Sequence, residues 1–137
     1  MSAPFRHRLR VRFSDCDLQG VVFYANHLTY YDIAITELWR EVAGSYEEMS
    51  ADGIDLMVAE ASIRYLRPVP FDAWVELTAS VTRLGNTSMT SRLAVLLDGE
   101  KASEGELRHV FVRAGTNRKT PIPAEIRAGL EAHLAEG

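Results

Sequence analysis

The stretch Phe13-Ser-Asp-Cys-Asp-Leu-Gln-Gly-Val-Val-Phe-Tyr-Ala-Asn-His27 separates two hydrophobic periodicities, and this change of period decides the fold. Before it, largely apolar side chains from Phe5 to Phe13 alternate with four arginines, which predicts a strand with one buried and one solvated face. After it, apolar residues recur at steps of three and four, which predicts a helix with Asn26 as its N-cap and Gly44 as its stop. The residues of that helical face are Leu28, Tyr31, Ile35, Leu38 and Val42.

Downstream of the helix the alternation returns in four segments, which predict four more strands. The first ends at Pro68 and is predicted to place Met57, Ala59, Ala61, Ile63 and Tyr65 on one face. The others contain Val75 to Val81, Met89 to Leu97 and Leu107 to Arg113. Asp98-Gly99 is a strong signal for a two-residue hairpin between the last two. A weakly amphipathic closing helix is predicted from Ala124 to Ala135.

The order of elements is therefore strand, long helix, four antiparallel strands and short helix. A single long helix can bury its apolar stripe only against the sheet, so we expect a five-stranded antiparallel sheet that wraps around it, an α+β architecture. The 137 residues show no internal repeat and no linker, which predicts one domain over residues 1–137.

Composition narrows the classes of function. The chain is 47% hydrophobic and 25% charged, which is typical of a globular protein, and its net charge of −4 argues against nucleic acid as a partner. The single cysteine, Cys16, excludes an intrachain disulfide framework. Neither a secretory signal nor an apolar run of membrane-spanning length is present, so we expect a cytoplasmic protein with no membrane partner.

Several catalytic motifs are missing from the sequence. There is no Gly-x-Ser-x-Gly elbow and no Gly-rich phosphate loop. The four histidines, His7, His27, His109 and His133, show no metal-ligand spacing, so we expect no metal and no cofactor. Any catalysis must then come from carboxylates and backbone amides.

Asp15 and Asp17 stand at the exit of the first strand, directly before the helix. Such residues commonly form turns or interact with the helix dipole. Here the apolar run from Val21 to Tyr24 suggests that the loop packs against a pocket. The free N–H groups of the first helical turn would point at the same region and could bind a developing oxyanion. The segment is therefore a candidate active site.

The pattern Phe-Ser-Asp-Cys-Asp-x-x-Gly-Val-Val-Phe-Tyr-x-Asn at residues 13–26 resembles the signature of the 4-hydroxybenzoyl-CoA thioesterase branch of the hotdog-fold superfamily. Ala61 to Asp72 is similar to that family's second strand and its proline-containing turn, and Arg118 to Pro123 is similar to its closing segment. The resemblance covers nearly the whole chain. It implies a hotdog fold, hydrolysis of an acyl-CoA thioester, and a homodimer or homotetramer with active sites at the dimer interface.

The resemblance also implies roles for single residues. Asp17 would be the catalytic carboxylate, acting as nucleophile or as general base, and the backbone N–H of Tyr24 would polarise the thioester carbonyl. Gly20 would let the loop turn tightly, and Val22 would border the substrate. Because the second strands pair across the dimer in that family, three residues of the neighbouring subunit would line the pocket. They are Val58, Ala59 and Glu60.

Of three further residues near this segment, Asp32 and His27 have two interpretations each, and Cys16 is a candidate nucleophile. Asp32 falls near the apolar face of the helix, where it would make a structural hydrogen bond or contact a polar acyl group. His27 would donate a hydrogen bond or a proton to the site, or would simply belong to the first helical turn. Cys16 is a poor nucleophile, because its two flanking aspartates raise the pKa of its thiol.

Coenzyme A carries three phosphates, which require cations at the mouth of the pocket. The turn after the third strand supplies only Arg83, and we expect Arg92, Arg118 and Lys119 to complement it. Two alternative functions remain open. An acyl carrier protein thioesterase would need a basic surface, which this turn scarcely provides, and a non-catalytic acyl-CoA-binding protein would not need Asp17. The acyl chain preference is not determined by the sequence.

Overall fold

The computed structural model describes residues 4–44 and 46–135, and these ranges contain five strands and three helices. Their bounds are β1 Phe5–Arg10, α1 Asn26–Ala43, α2 Tyr46–Ala51, β2 Ile54–Tyr65, β3 Trp74–Leu84, β4 Ser88–Leu97, β5 Glu100–Arg113 and α3 Ala124–Glu131. All strands pair antiparallel in the order β1-β3-β4-β5-β2. The predicted five-stranded antiparallel sheet, the long helix and the short C-terminal helix are confirmed.

Helix α1 packs across the concave face of the sheet. Its buried residues are His27, Tyr30, Tyr31, Ala34, Ile35, Leu38 and Trp39. Trp39 lies against Phe111 of β5, with 6.0 Å between ring centroids. The predicted apolar face is wrong at Leu28, which is 37% exposed because it lies on the flank of the buried stripe in the first turn.

Strand β1 is shorter than the sequence pattern predicts. Val11 is buried as expected, but the chain then enters a short 3₁₀ turn, Phe13–Asp15, and Phe13 is 81% exposed. The turn is closed by the Asp15 carboxylate, which accepts the backbone N–H of Arg12 at 3.0 Å. The prediction that Phe13 continues the buried face of the strand is therefore wrong.

Strand β2 carries a bulge at Ala59, because Val58 pairs with His109 while Glu60 pairs with the preceding residue of β5. An extra residue in one strand reverses the alternation of its side chains. The predicted single face running from Met57 to Tyr65 is therefore wrong. The residues that share the helix-facing side are Leu56, Val58, Ala61, Ile63 and Tyr65.

Strand β2 also forms one edge of the sheet. It is 12 residues long, and no other strand in the described part of the chain covers its outer side. Met57, Val58 and Tyr65 are each between 44% and 57% exposed. Such a long, partly apolar edge is suited to pairing with another strand.

The hairpin between β4 and β5 turns at the predicted residues. Asp98 and Gly99 both have positive φ angles, 53° and 79°, as a two-residue type I′ turn requires. Strand β5 pairs with β4 directly from this turn, so it begins well before the predicted Leu107. Helix α3 ends at Glu131, four residues before the predicted Ala135.

Candidate active site

The loop between β1 and α1 holds Asp17 in a tight backbone turn. The N–H of Asp17 donates to the carbonyl of Val21 at 2.9 Å, and the N–H of Gly20 donates to the carbonyl of Asp17 at 3.0 Å. Gly20 has a φ of 77°, a conformation that glycine adopts without strain. The Oδ1 atom of Asp17 accepts the N–H of Gln19 at 2.8 Å. The half-buried carboxylate is thus oriented by one oxygen, and its other oxygen has no partner in the described residues.

Asp15 holds this loop in place through hydrogen bonds and is only 5% exposed. Its carboxylate accepts hydrogen bonds from the Arg12 guanidinium at 2.9 Å and from the Tyr30 phenol at 2.8 Å. Burial alone would raise the pKa of Asp15, but these hydrogen bonds outweigh it and hold the pKa below its ordinary value. Its carbonyl accepts the N–H of Phe23 and the Nδ2 group of Asn26, each at 2.9 Å. Asp15 therefore supports the loop.

The start of α1 leaves the N–H of Tyr24 free. Asn26 is the first helical residue and not the N-cap, a position that Ala25 occupies. The first N–H groups of the helix bond to carbonyls three residues earlier, as in a 3₁₀ turn. The donors of these bonds are Asn26, His27 and Leu28. Among the described residues, the N–H groups of Tyr24 and Ala25 have no acceptor, so the free amides lie just before the predicted turn.

Asp17 and Tyr24 line one cavity of about 400 Å³. Its other lining residues include Val22, His27, Tyr65, Arg67 and Pro68. The structure thus brings together Asp17, Tyr24, Val22 and His27, as the sequence predicts. The phenol of Tyr65 donates to the carbonyl of Tyr24 at 2.7 Å, a contact that the sequence does not reveal.

A second cavity, of about 270 Å³, opens between α1 and β2. Its lining residues are Asp32, Ile35, Thr36, Trp39, Leu56, Val58 and His109. Asp32 is exposed on the flank of α1 and makes no hydrogen bond within the described residues, so its structural interpretation is not supported. His109 is 4% exposed, and burial lowers its pKa although the charge of Asp32 opposes that shift. Val58 therefore lines a cavity together with Asp32 of its own chain.

Two buried polar atoms of this second cavity lack partners. Within the described residues, three enclosed side-chain atoms make no hydrogen bond: Trp39 Nε1, His109 Nδ1 and Ser91 Oγ. The first two belong to residues that line the cavity. An unpaired buried polar atom costs about 1–3 kcal/mol. Both atoms are enclosed, so the charged group that this cavity offers to an occupant is the exposed carboxylate of Asp32.

The predicted phosphate-binding cations do not surround Asp17 within one chain. Strand pairing aligns Tyr65 with Ser103, and Arg113 lies ten residues further along β5, about 33 Å away. The carbonyl of Arg118 bonds to Arg113, so Arg118 lies at that far end, as does its neighbour Lys119.

The other two predicted cations are also separate from Asp17. Strand pairing places Leu77 of β3 level with Tyr65, which lines the Asp17 cavity. Arg83 lies six residues further along β3, about 20 Å away. Arg92 lines a cleft on the outer face of the sheet together with Arg64, Glu104 and Glu106.

Arg67 is the cation that the sequence reasoning missed. It lines the Asp17 cavity, forms an ion pair with Glu100 and donates from Nη2 to the carbonyl of Leu97 at 3.3 Å. Ala59 and Glu60 are exposed on the bulge and line neither of the two cavities.

Cys16 is a poor nucleophile in this setting. Burial raises the pKa of its thiol, and the charges of Asp15 and Asp17 raise it further. Over residues 4–44 and 46–135, no helix combines the length and apolar character needed to cross a membrane. In the same residues, no group of three histidine, cysteine or acidic side chains is placed to hold a metal ion.

The chain is similar to known proteins over most of its length. A family model described as the thioesterase superfamily matches residues 19–103. The acyl-CoA thioester hydrolase YbgC of Escherichia coli is 29% identical over 126 residues, which cover 90% of this chain and 93% of that protein. A 1,4-dihydroxy-2-naphthoyl-CoA hydrolase of Thermosynechococcus vestitus is 25% identical over 94% of this chain and 90% of its own. The crystal structure of a thioesterase superfamily protein from Jannaschia sp. CCS1 superimposes with a TM-score of 0.90 at 25% identity, covering 98% of this chain and 95% of that one.

Proposed function

This chain belongs to the thioesterase superfamily, and from that premise we propose that it hydrolyses an acyl-coenzyme A thioester to the free acid and coenzyme A. One observation carries the proposal: Asp17, whose carboxylate has one oxygen without a partner in the described residues, and Tyr24, whose N–H has no acceptor there, line the same cavity. A thioester carbonyl in that cavity would meet a base or nucleophile on its carbon and a donor on its oxygen. The similarity to an acyl-CoA thioester hydrolase of Escherichia coli supports the choice of carrier.

Two routes begin from this arrangement. In the first, an Asp17 oxygen adds to the thioester carbon, the coenzyme A thiolate leaves, and water cleaves the mixed anhydride to the acid and the carboxylate. In the second, Asp17 takes a proton from the attacking water, and the departing thiolate receives that proton when the tetrahedral intermediate collapses. In both routes the oxyanion accepts the N–H of Tyr24. The half-buried position of Asp17 removes part of its hydration and favours either route.

The second cavity is proposed to hold the far end of the acyl group. On α1, Asp32 of the second cavity is five residues from His27 of the first, about 7.5 Å along the helix axis, whereas Trp39 is twelve residues from His27, about 18 Å. An acyl group of one or two rings therefore reaches the Asp32 end of the second cavity. The carboxylate of Asp32, which is exposed and lines this cavity, favours an acyl group that carries a hydrogen-bond donor.

Assembly through β2 is proposed to complete the site. Pairing of two β2 edges about Ala59 would bring Ile54 of a second copy opposite Arg64, close to the Asp17 end of the strand. Ile54 pairs with Arg113, whose N–H bonds to the carbonyl of Arg118. The pairing would thus bring the Arg118 and Lys119 end of one copy to the Asp17 end of the other. Those cations could then act on coenzyme A beside Arg67.

The experiment that tests this function is an assay of thiol release. The purified protein is incubated with short aliphatic, long aliphatic, aryl and hydroxyaryl acyl-CoA, and with the same acyl groups on acyl carrier protein. We expect release from acyl-CoA, with hydroxyaryl groups preferred over aryl groups. Release from the carrier protein alone would replace the proposed carrier. Binding of acyl-CoA without any release would overturn the catalytic function.

A further inference from the structure

His27 points one ring nitrogen into the protein and the other towards the Asp17 cavity. Its Nδ1 atom is 2.8 Å from the hydroxyl of Ser103. Its Nε2 atom has no hydrogen-bond partner among the described residues, yet it is not one of the enclosed atoms without a partner. Since only 3% of His27 is exposed and the residue lines the cavity, the exposed part includes the Nε2 edge.

The two hydrogen bonds that connect Tyr31, Ser103 and His27 share one direction of donation. The phenol of Tyr31 lies 2.9 Å from Ser103 Oγ, and both residues are fully buried. Burial raises the pKa of Tyr31 to about 12, so the phenol keeps its hydrogen. That hydrogen has no acceptor in the described residues other than Ser103 Oγ. When Tyr31 donates to Ser103 and Ser103 donates onwards to His27, neither hydroxyl hydrogen is left without an acceptor, and the opposite direction leaves the Tyr31 hydrogen unpaired.

This direction fixes the tautomer of His27. A ring nitrogen that accepts a hydrogen bond carries no proton. Nδ1 is therefore unprotonated, and the proton of the neutral imidazole is on Nε2. Burial lowers the pKa of His27, so the neutral form prevails near pH 7. The ring of Tyr65 packs edge-on against the imidazole, with 5.2 Å between centroids. The Nε2–H group is thus held as a donor at the cavity wall.

We propose that His27 is a catalytic residue whose Nε2–H binds the thioester carbonyl oxygen together with the N–H of Tyr24, and that Ser103 and Tyr31 are positioning residues that hold this tautomer. A neutral imidazole can stabilise a developing oxyanion by hydrogen bonding, with no transfer of its proton. The inference rests on the proposed thioester hydrolysis and adds a second donor to its oxyanion site.

The tautomer is measured first on the unaltered protein. Long-range ¹H–¹⁵N spectra of protein labelled at histidine distinguish a protonated Nε2 from a protonated Nδ1, and the loss of signals in His27→Gln assigns the ring. We expect only the Nε2–H form. The Ser103→Ala variant should populate the second tautomer. Ser91→Ala is the matched control, because Ser91 is a fully buried serine on the neighbouring strand β4 whose hydroxyl has no hydrogen-bond partner among the described residues. It should leave the spectrum unchanged.

Kinetics then test the donor. His27→Phe keeps the ring volume but removes the N–H, and kcat should fall about 10²–10³-fold, the effect of deleting one oxyanion donor. KM should change by less than about threefold, because the bond strengthens in the transition state. His27→Gln restores an N–H near Nε2 and should be at least about tenfold faster than His27→Phe.

The outcomes separate this inference from the proposed function. A protonated Nδ1 in the unaltered protein, or His27→Phe within about threefold of its kcat, overturns the role of His27 while hydrolysis stands. If His27→Phe does not fold, the tautomer and the His27→Gln rate decide: a His27→Gln rate more than about 10³-fold below the unaltered protein also overturns the inference. If the unaltered protein releases no coenzyme A, the proposed function fails and this inference fails with it.

Discussion

The phenol of Tyr65 donates a 2.7 Å hydrogen bond to the carbonyl oxygen of Tyr24. Tyr65 is the last residue of the edge strand β2, and Tyr24 directly precedes α1. Tyr24 supplies the free N–H of the candidate oxyanion site, and its carbonyl, which belongs to the following peptide, is tied to the strand that we propose as the dimer interface. Any change in the position of this strand would be transmitted to the site of chemistry.

Removing the hydrogen bond between Tyr65 and Tyr24 should slow the reaction without weakening substrate binding. In Tyr65→Phe the carbonyl of Tyr24 loses this hydrogen bond, worth about 0.5–1.5 kcal/mol, so kcat should fall about 2- to 13-fold. Steady-state kinetics check this. Tyr24→Phe keeps the backbone N–H and an exposed ring, so its loss should be smaller than that of Tyr65→Phe. The opposite order would show that the phenol of Tyr24 acts in place of its amide.

Asp15 should stabilise the fold in a pH-dependent way. Its folded pKa lies below the ordinary value of 3.8, so its contribution is complete above about pH 5 and is lost as pH falls through the folded pKa. Asp15→Asn should lower the free energy of unfolding by about 1–3 kcal/mol at pH 7. Denaturant unfolding of both proteins from pH 7 to pH 3 should show this difference shrinking towards low pH. A difference that stays constant would contradict the assignment.

The second cavity should select the acyl group. Asp32→Leu is expected to lower kcat/KM for hydroxyaryl-CoA about tenfold or more relative to the unsubstituted aryl-CoA. The reason is that the hydroxyl substituent loses its hydrogen-bond acceptor, whereas an unsubstituted ring has no such bond to lose. Glu37→Gln is the control, since Glu37 lies on the same helix and pairs with Arg40 outside the cavity. Equal losses on both substrates would assign the cavity no role in selectivity.

Much of the fold could be predicted from local patterns. The alternation in β3 and β4 identified buried residues such as Leu77 and Leu93, and Asp98-Gly99 identified the hairpin. The bulge at Ala59 could not be predicted, because it arises from the pairing of β2 with β5.

Part of the candidate site could likewise be predicted from local sequence, and part of it could not. Asp17, Tyr24 and His27 lie in one continuous loop and helix start, where a short motif was enough to indicate them. Ser103 contacts His27 across 76 residues of sequence, and it precedes Leu107, where the sequence pattern predicts the last strand, so no local pattern indicated it. Trp39 and His109 likewise read as ordinary core residues until the fold places them around one cavity.

The composite-site model can be tested by complementation. Asp17→Ala subunits are mixed with subunits carrying Arg118→Glu and Lys119→Glu, which remove the cations that the pairing brings to the partner's site. If each site uses Asp17 of one copy and these cations of the other, a mixed dimer contains one intact site and activity should partly return. Subunit exchange is verified by labelling. A mixture that stays inactive despite exchange, or a fully active monomer in sedimentation, contradicts shared sites.

The central claim is that the carboxylate of Asp17 performs the chemistry of this thioester hydrolase. The most direct measurement is kcat of Asp17→Ala on the best acyl-CoA substrate, with Cys16→Ser as the control one residue away. We predict that Asp17→Ala loses at least about 10³-fold in kcat while KM and the melting temperature stay near those of the unaltered protein. Cys16→Ser should keep most of its activity. Turnover of Asp17→Ala near the unaltered rate, or an inactive but folded Cys16→Ser, would contradict the account.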